Sequence, residues 1–359
     1  MQKSVEKGID KMSNAINNID STAQHSTAQH STAQHSTAQL CAVIPSVPND
    51  IDKLLRKTEI FFKYIPIKKI YIVGPVGISE RIISEHDSRL IFINENEFVD
   101  VPRIRELYSL RALQPRRAGW YVQQFIKMQF AKFVKDDYYL IWDSDTIPLK
   151  PVELFDEHFR PFFDMKTEYH ESYFDTLSKI LPGIHKVTES SFISEHMLIK
   201  KEYMCELIDE IEANKNLEGT NFQERIINAI AAENLPRTGF SEFETYGSYV
   251  TVRHPDSYAM REWHSLRCGK RFYTDSSLID EENRLWLSTN YDAISLEKWH
   301  RMSWCSPLVK AKVFHKLFSP VVLESIPLPL QALRKAIRGL IPDKYVPFIK
   351  RIIATKKGA

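Results

Sequence analysis

Apolar residues first cluster at Cys41-Ala42-Val43-Ile44-Pro45, a run that predicts a buried strand. Asn49-Asp50 can cap a following helix with Ile51, Leu54, Leu55, Ile60 and Phe62 at its apolar positions. Residues 69–74 and 90–94 predict a second and a third strand, with a short helix from Ser79 carrying Ile82 and Ile83 between them. A helix follows over residues 120–135, with Val122, Phe125, Ile126 and Phe133 available to a core, and residues 139–142 read as a fourth strand. Strands alternating with helices imply an α/β fold: a mostly parallel central sheet, right-handed crossovers and helices on its faces. The later part is more helical. Residues 201–214 place Tyr203, Met204, Leu207, Ile208 and Ile211 on one face, and residues 221–234 repeat the pattern with Ile226, Ile227 and Ile230.

The fourth strand runs into Asp143-Ser144-Asp145. Strand side chains alternate, so Asp143 and Asp145 should project to the same side. Two carboxylates that close repel each other unless a cation lies between them. Oxygen ligands of this kind suit Mg²⁺ or Mn²⁺, which keep positions open for a substrate's phosphates. Ligands of parallel sheets bind beyond the carboxyl ends of the strands, where this pair lies.

Two further groups carry candidate chemistry. In Arg117-Ala118-Gly119-Trp120-Tyr121-Val122-Gln123-Gln124-Phe125-Ile126-Lys127, helical spacing puts Trp120, Gln123, Gln124 and Lys127 near one face, where they could hold a donor's sugar or phosphates. In Gly239-Phe240-Ser241-Glu242-Phe243-Glu244-Thr245-Tyr246-Gly247, Glu242 and Glu244 could accept a proton from an acceptor hydroxyl or bind sugar hydroxyls, with Glu244 preferred. The same acids could instead cap a helix starting near Ser241.

The strand that ends in Asp143-Ser144-Asp145 resembles the A-type (GT-A-like) nucleotide-sugar glycosyltransferases, in which a D-x-D motif holds a metal on the donor diphosphate. The other two groups resemble the GWYxQQxxK and SEYETYG-type motifs of an uncharacterised bacterial family within that class, with Phe243 where a Tyr is expected. The resemblance spans residues 41–319. It implies a nucleotide-sugar donor, a glycan or lipid-linked glycan acceptor, and a Mn²⁺ or Mg²⁺ cofactor held by Asp143 and Asp145. It also implies donor binding by Trp120, Gln123, Gln124, Lys127 and Asp143, and catalysis by Glu244 or Glu242. A-type enzymes often add a downstream histidine to the metal site. His254, His264 and His315 sit in no pattern that selects one.

Three other functions compete. A phosphatase-like hydrolase would carry its D-x-D loop on the first strand and a later acidic pair. A nucleotidyltransferase would place a Gly-rich loop after the first strand, where Pro45-Ser46-Val47-Pro48 stands. A glycan-binding module would not need the metal pair.

Composition adds limits. A formal charge of +2 over 359 residues is too small for bulk nucleic-acid binding, so no nucleic-acid partner is expected. The four cysteines form no CxxC pair, which suits reduced thiols in a cytosol. The first twenty residues are polar, and no run approaches the roughly 18 apolar residues that span a bilayer. The expected location is the cytosol, or the inner face of the cytoplasmic membrane as a peripheral protein.

Residues 1–40 form a separate leader. Residues 21–35 are three copies of Ser-Thr-Ala-Gln-His, followed by Ser-Thr-Ala-Gln-Leu, with almost nothing to bury, so disorder is the default. The five-residue period fits a DNA tract of AGCAC units (AGC ACA GCA CAG CAC), and gain or loss of one unit would shift the frame. That points to a phase-variable bacterial gene, of the kind that builds lipopolysaccharide, lipooligosaccharide or capsule. Residues 320–359 form a tail that is basic from Gln331 onward, with eight Lys/Arg against Asp343 alone. Mixed with Leu333, Ile337, Leu340, Val346, Phe348 and Ile352, they suggest an interfacial segment that holds the chain at an anionic membrane.

Overall fold

The strand β1 (Leu40–Pro45) is buried along its whole length because both of its faces are covered. Cys41 and Val43 enter one apolar core, and Leu40, Ala42 and Ile44 enter another. The computed structural model that shows this describes residues 40–112 and 117–326. The repeat leader and the tail beyond Ile326 lie outside the described residues.

The chain continues through helices α1 (Ile51–Leu55) and α2 (Thr58–Tyr64), strand β2 (Ile67–Gly74), helix α3 (Ser79–Ser84) and strand β3 (Leu90–Asn94). Helices α4 (Val101–Arg111) and α5 (Ala118–Gln129) precede β4 (Tyr138–Trp142). Short strands β5 (Thr146–Pro148) and β6 (Phe162–Met165) follow, then α6 (Glu171–Ile180), β7 (His196–Lys200), α7 (Lys201–Ala213), α8 (Phe222–Ala229) and α9 (Glu242–Arg253). The last described part holds β8 (Ala259–Glu262), β9 (Ser265–Leu266), α10 (Glu281–Ser288), β10 (Ala293–Ser295), α11 (Ser306–Val309), α12 (Lys312–Leu317) and α13 (Val322–Ser325).

The central sheet has the order β3-β2-β1-β4-β7. Its first four strands are parallel and β7 runs antiparallel to β4. This is the expected α/β class, and the chain is mostly helical from the end of β7 to Arg253. Alternation sorts the side chains: Tyr139 and Ile141 of β4 join the core beneath α4, α5, α7, α8 and α9, while Leu140 and Trp142 join the core beneath α1, α2 and α3. A third apolar cluster gathers Ile147, Leu149, Leu266, Trp286 and Ile294 around the small sheet β5-β10-β9.

Three local differences from the sequence expectation have physical causes. The single helix expected after Asn49 is two, broken at Arg56 and Lys57, and the break lets Lys57 turn inward. Helix α4 was not expected. Its signals are Asp100, whose side chain accepts from the Arg103 N–H at 3.0 Å, and Pro102 in its first turn. Phe133 sits at the rim of the core rather than in it, 45% exposed. Among the described residues no helix is long and apolar enough to cross a membrane.

Candidate active site

Strand β4 stops at Trp142, and Asp143-Ser144-Asp145 forms a turn closed by the Thr146 N–H donating to the Asp143 carbonyl (3.1 Å). The turn, rather than strand alternation, brings the two acids to one cleft of about 460 Å³. The Asp143 N–H donates to the Glu195 carbonyl at 2.9 Å, which ties the turn to the start of β7.

Asp143 follows Tyr139 and Ile141 onto the side of the sheet where α5 packs, and there Lys127 meets it. Lys127 Nζ lies 2.8 Å from Asp143 Oδ1 and 2.8 Å from Glu242 Oε1. Burial alone would lower this ammonium's pKa. The two carboxylates outweigh it and hold the group above the ordinary lysine range. Asp145 makes no ion pair among the described residues. Burial first, and then the charge of Asp143, push its carboxyl up to about 6 against the pull of Lys57. Burial pushes Lys57 down to about 8, and its ammonium donates to the Ser144 carbonyl.

The 3.6-residue period of α5 puts Trp120, Gln123, Gln124 and Lys127 along the same cleft. Gln124 is buried. Its Oε1 accepts from the Glu242 N–H at 3.0 Å, and its Nε2 has no protein partner among the described residues.

Helix α9 starts where the capping alternative placed it, with Ser241 as the cap accepting from the Glu244 N–H (3.3 Å). Residues two apart on a helix point about 200° apart, so Glu242 and Glu244 cannot share a face. Glu242 lines the cleft. Glu244 does not: it accepts from Lys186 Nζ (2.7 Å), Ser191 Oγ (2.9 Å) and the Phe192 N–H (3.0 Å). A Cβ on Gly247, one turn further, would stand 2.3 Å from the Phe192 ring. Glu244 and Gly247 therefore clamp the segment that leads into β7.

The opposite wall was not visible in the sequence. Arg267 reaches Glu168 at 2.7 Å, Glu297 at 3.1 Å and Glu195 at 3.7 Å. Ser265 Oγ donates to Glu195 Oε1 at 2.6 Å, and His300 lies 3.1 Å from Glu297. These residues come from loops far apart in the chain, and no local pattern joins them. Lys298 and Trp299 complete this rim.

None of the three histidines weighed as metal ligands lines the cleft. His254 stacks on Tyr203 at 3.7 Å, His264 lies exposed beside Glu262, and His315 stacks on Trp286 at 4.4 Å. Among the described residues no group of three or more His, Cys, Asp or Glu is arranged to hold an ion.

Behind the turn, His196 pairs with Trp142 in the sheet and is packed between Trp142 and Trp263. Its Nε2 accepts from Arg261 at 2.8 Å, and its Nδ1 is 3.5 Å from Asp164. Burial holds this imidazole down to about 4, neutral at physiological pH.

Residues 47–321 match the model of a family of unknown function, DUF6492, and the chain belongs to that family. No curated protein matches the sequence. Among solved structures, apo mouse xyloside xylosyltransferase 1 is similar at 8% identity, over 72% of this chain and 97% of its own, with a TM-score of 0.39. Galactosyltransferase LgtC, solved with donor and acceptor sugar analogs, is similar at 10% identity, over 78% and 96%, with a TM-score of 0.38. The apo glycosyltransferase GlyE of Streptococcus pneumoniae TIGR4 is similar at 13% identity, over 80% and 62%, with a TM-score of 0.35.

Proposed function

We propose that this member of the DUF6492 family is a metal-dependent glycosyltransferase that moves a sugar from a nucleotide-sugar donor to a glycan of the bacterial surface. The observation that carries the reading is the acid pair Asp143 and Asp145, set in a turn at the carboxyl end of a parallel-sheet strand and facing a cleft that also holds Lys127 and Glu242, with Lys57 in a small pocket beside Asp145. The donor set suits Mg²⁺ or Mn²⁺, which take one or two carboxylates plus substrate phosphates rather than a full protein cage. The raised carboxyl of Asp145 supports this fit, since a cation would offset its burial first and then its repulsion from Asp143. When bound, the ion would stabilise the charge that develops on a departing nucleoside diphosphate.

The chain's own residues then divide the remaining work. Lys127 holds Asp143 and Glu242 in fixed positions. Trp120 and Gln123 border the donor, and Gln124 stands behind them, its Oε1 fixing the start of the helix that carries Glu242. Glu242 has one oxygen on Lys127 and a second with which to accept from a substrate hydroxyl. Glu244 acts through the segment it clamps, not by touching substrate. The transferase domain covers residues 41–319. The repeat leader marks a phase-variable gene, and the basic tail keeps the enzyme on the cytoplasmic face of an anionic membrane, near a lipid-linked acceptor of the lipopolysaccharide or capsule type.

The test is a panel of nucleotide sugars assayed with Mn²⁺ for release of the nucleoside diphosphate. One donor should respond, and Asp143→Ala and Asp145→Ala should each reduce the rate by roughly 10²–10³-fold. Release of inorganic phosphate or of pyrophosphate instead would favour the hydrolase or the nucleotidyltransferase.

A further inference from the structure

Residues 299–321 expose apolar and basic side chains together. Trp304, Val313 and Leu317 are 68%, 66% and 69% exposed, and Met302, Leu308 and Phe318 are close to half exposed. Single exposed apolar residues are ordinary on a soluble protein, but a series of them within one short stretch marks an interaction site.

These groups stand on a fixed backbone. The Ser303 N–H donates to the Arg271 carbonyl at 2.7 Å, and Ser306 Oγ donates to the Phe272 carbonyl at 2.6 Å. Trp286 Nε1 donates to the Phe318 carbonyl at 2.8 Å, and the Phe314 ring packs on Trp286. Val313 and Leu317 lie one turn apart on α12 and so share a face, with Lys312 and Lys316 alongside.

The charge is one-sided. From Lys298 to Leu323 the sequence has five Lys/Arg and no Asp or Glu. Lys298 and Lys312 are matched from outside the stretch, by Asp50 at 2.5 Å and by Glu282 at 2.7 Å. Arg301, Lys310 and Lys316 have no acidic partner among the described residues. Interfacial tryptophan, aliphatic side chains and basic groups whose stems lie along them are the mixture that a bilayer surface rich in anionic lipid attracts.

We infer that this surface docks on an anionic lipid bilayer. Trp304, Val313 and Leu317 enter the headgroup boundary, and Arg301, Lys310 and Lys316 face the lipid phosphates. Trp299 belongs to the same stretch and also lines the cleft, so docking turns the cleft's rim toward the membrane. That orientation, which serves a lipid-linked acceptor, rests on the transferase reading; the surface itself does not.

The experiment uses the full chain and large unilamellar vesicles, either pure phosphatidylcholine or phosphatidylcholine with phosphatidylglycerol. The wild type should sediment with the anionic vesicles, release in high salt and shift its tryptophan emission to the blue. The triple variant Trp304→Ser, Val313→Ser, Leu317→Ser should bind roughly tenfold more weakly while melting like the wild type. Should it not fold, the exposed pair Arg301→Glu, Lys316→Glu keeps the test open and should also lose roughly tenfold or more. Binding that neither change weakens overturns the proposal. So does a wild-type dimer that the triple variant dissociates, since a second copy would then cover the face. Vesicle binding that the variants weaken, in a chain that hydrolyses no donor, supports the surface and counts against the transferase reading.

Discussion

The two walls of the cleft handle negative charge in opposite ways. On one wall Asp143 shares Lys127 with Glu242, and Asp145 faces Lys57 without an ion pair, its carboxyl raised to about 6. On the other wall Glu168, Glu195 and Glu297 gather around the single fork of Arg267. Both are acid clusters, but each carboxylate of the second lies within 3.7 Å of Arg267, whereas Asp145 of the first makes no ion pair among the described residues. The second holds three carboxylates on one guanidinium, and burial raises the Glu297 carboxyl even so. What separates the two walls is the ion pair that Asp145 lacks, and under the transferase reading that makes it the carboxylate left to take a cation.

Changes to the two walls should give effects of different size and kind. The largest is expected for Lys127→Ala, which leaves Asp143 and Glu242 facing each other uncompensated. Unfolding in urea should show a loss of about 3 kcal/mol, and activity should fall with it. His196→Phe comes next. Its imidazole titrates near 4 in the fold and near 6.5 unfolded, so the unfolded chain binds more protons between those values. The His196 contribution should therefore be fully present above pH 6.5 and be lost as pH falls toward 4, by about 3 kcal/mol in all, while the raised Asp145 carboxyl gives an opposite slope in both proteins. The stability difference between wild type and variant should follow the His196 slope, which urea midpoints of both proteins across the window will show.

Glu244→Gln should cost about 2 kcal/mol by removing the charge that Lys186, Ser191 and Phe192 share, with donor hydrolysis largely kept. Glu242→Gln should do the reverse. Equal activity losses in the two would mean that the segment before β7, and not the cleft carboxylate, controls catalysis. The smallest stability change is expected for Arg267→Met, about 1 kcal/mol because the guanidinium is half exposed.

Much of the first wall is legible in the sequence. Apolar runs mark β1 to β4, and helical spacing alone groups Trp120, Gln123, Gln124 and Lys127 on one face of α5. What the sequence hides has two physical causes. Glu242 and Glu244 are chemically alike, and only the phase of α9 around its axis decides which one meets the cleft. The partners that set the electrostatics arrive through the tertiary fold: Lys57 from a break between two short helices, and Arg267 and Glu297 from loops 30 residues apart. Helix α4 is a different case, because its cap and its early proline are plain in the chain.

The central claim is most directly tested by titrating free Mn²⁺ by electron paramagnetic resonance, with a nucleoside diphosphate present. One ion should bind per chain in the wild type and in Arg267→Met, and none in Asp145→Asn. Undiminished binding in Asp145→Asn, or none in the wild type, would contradict the account.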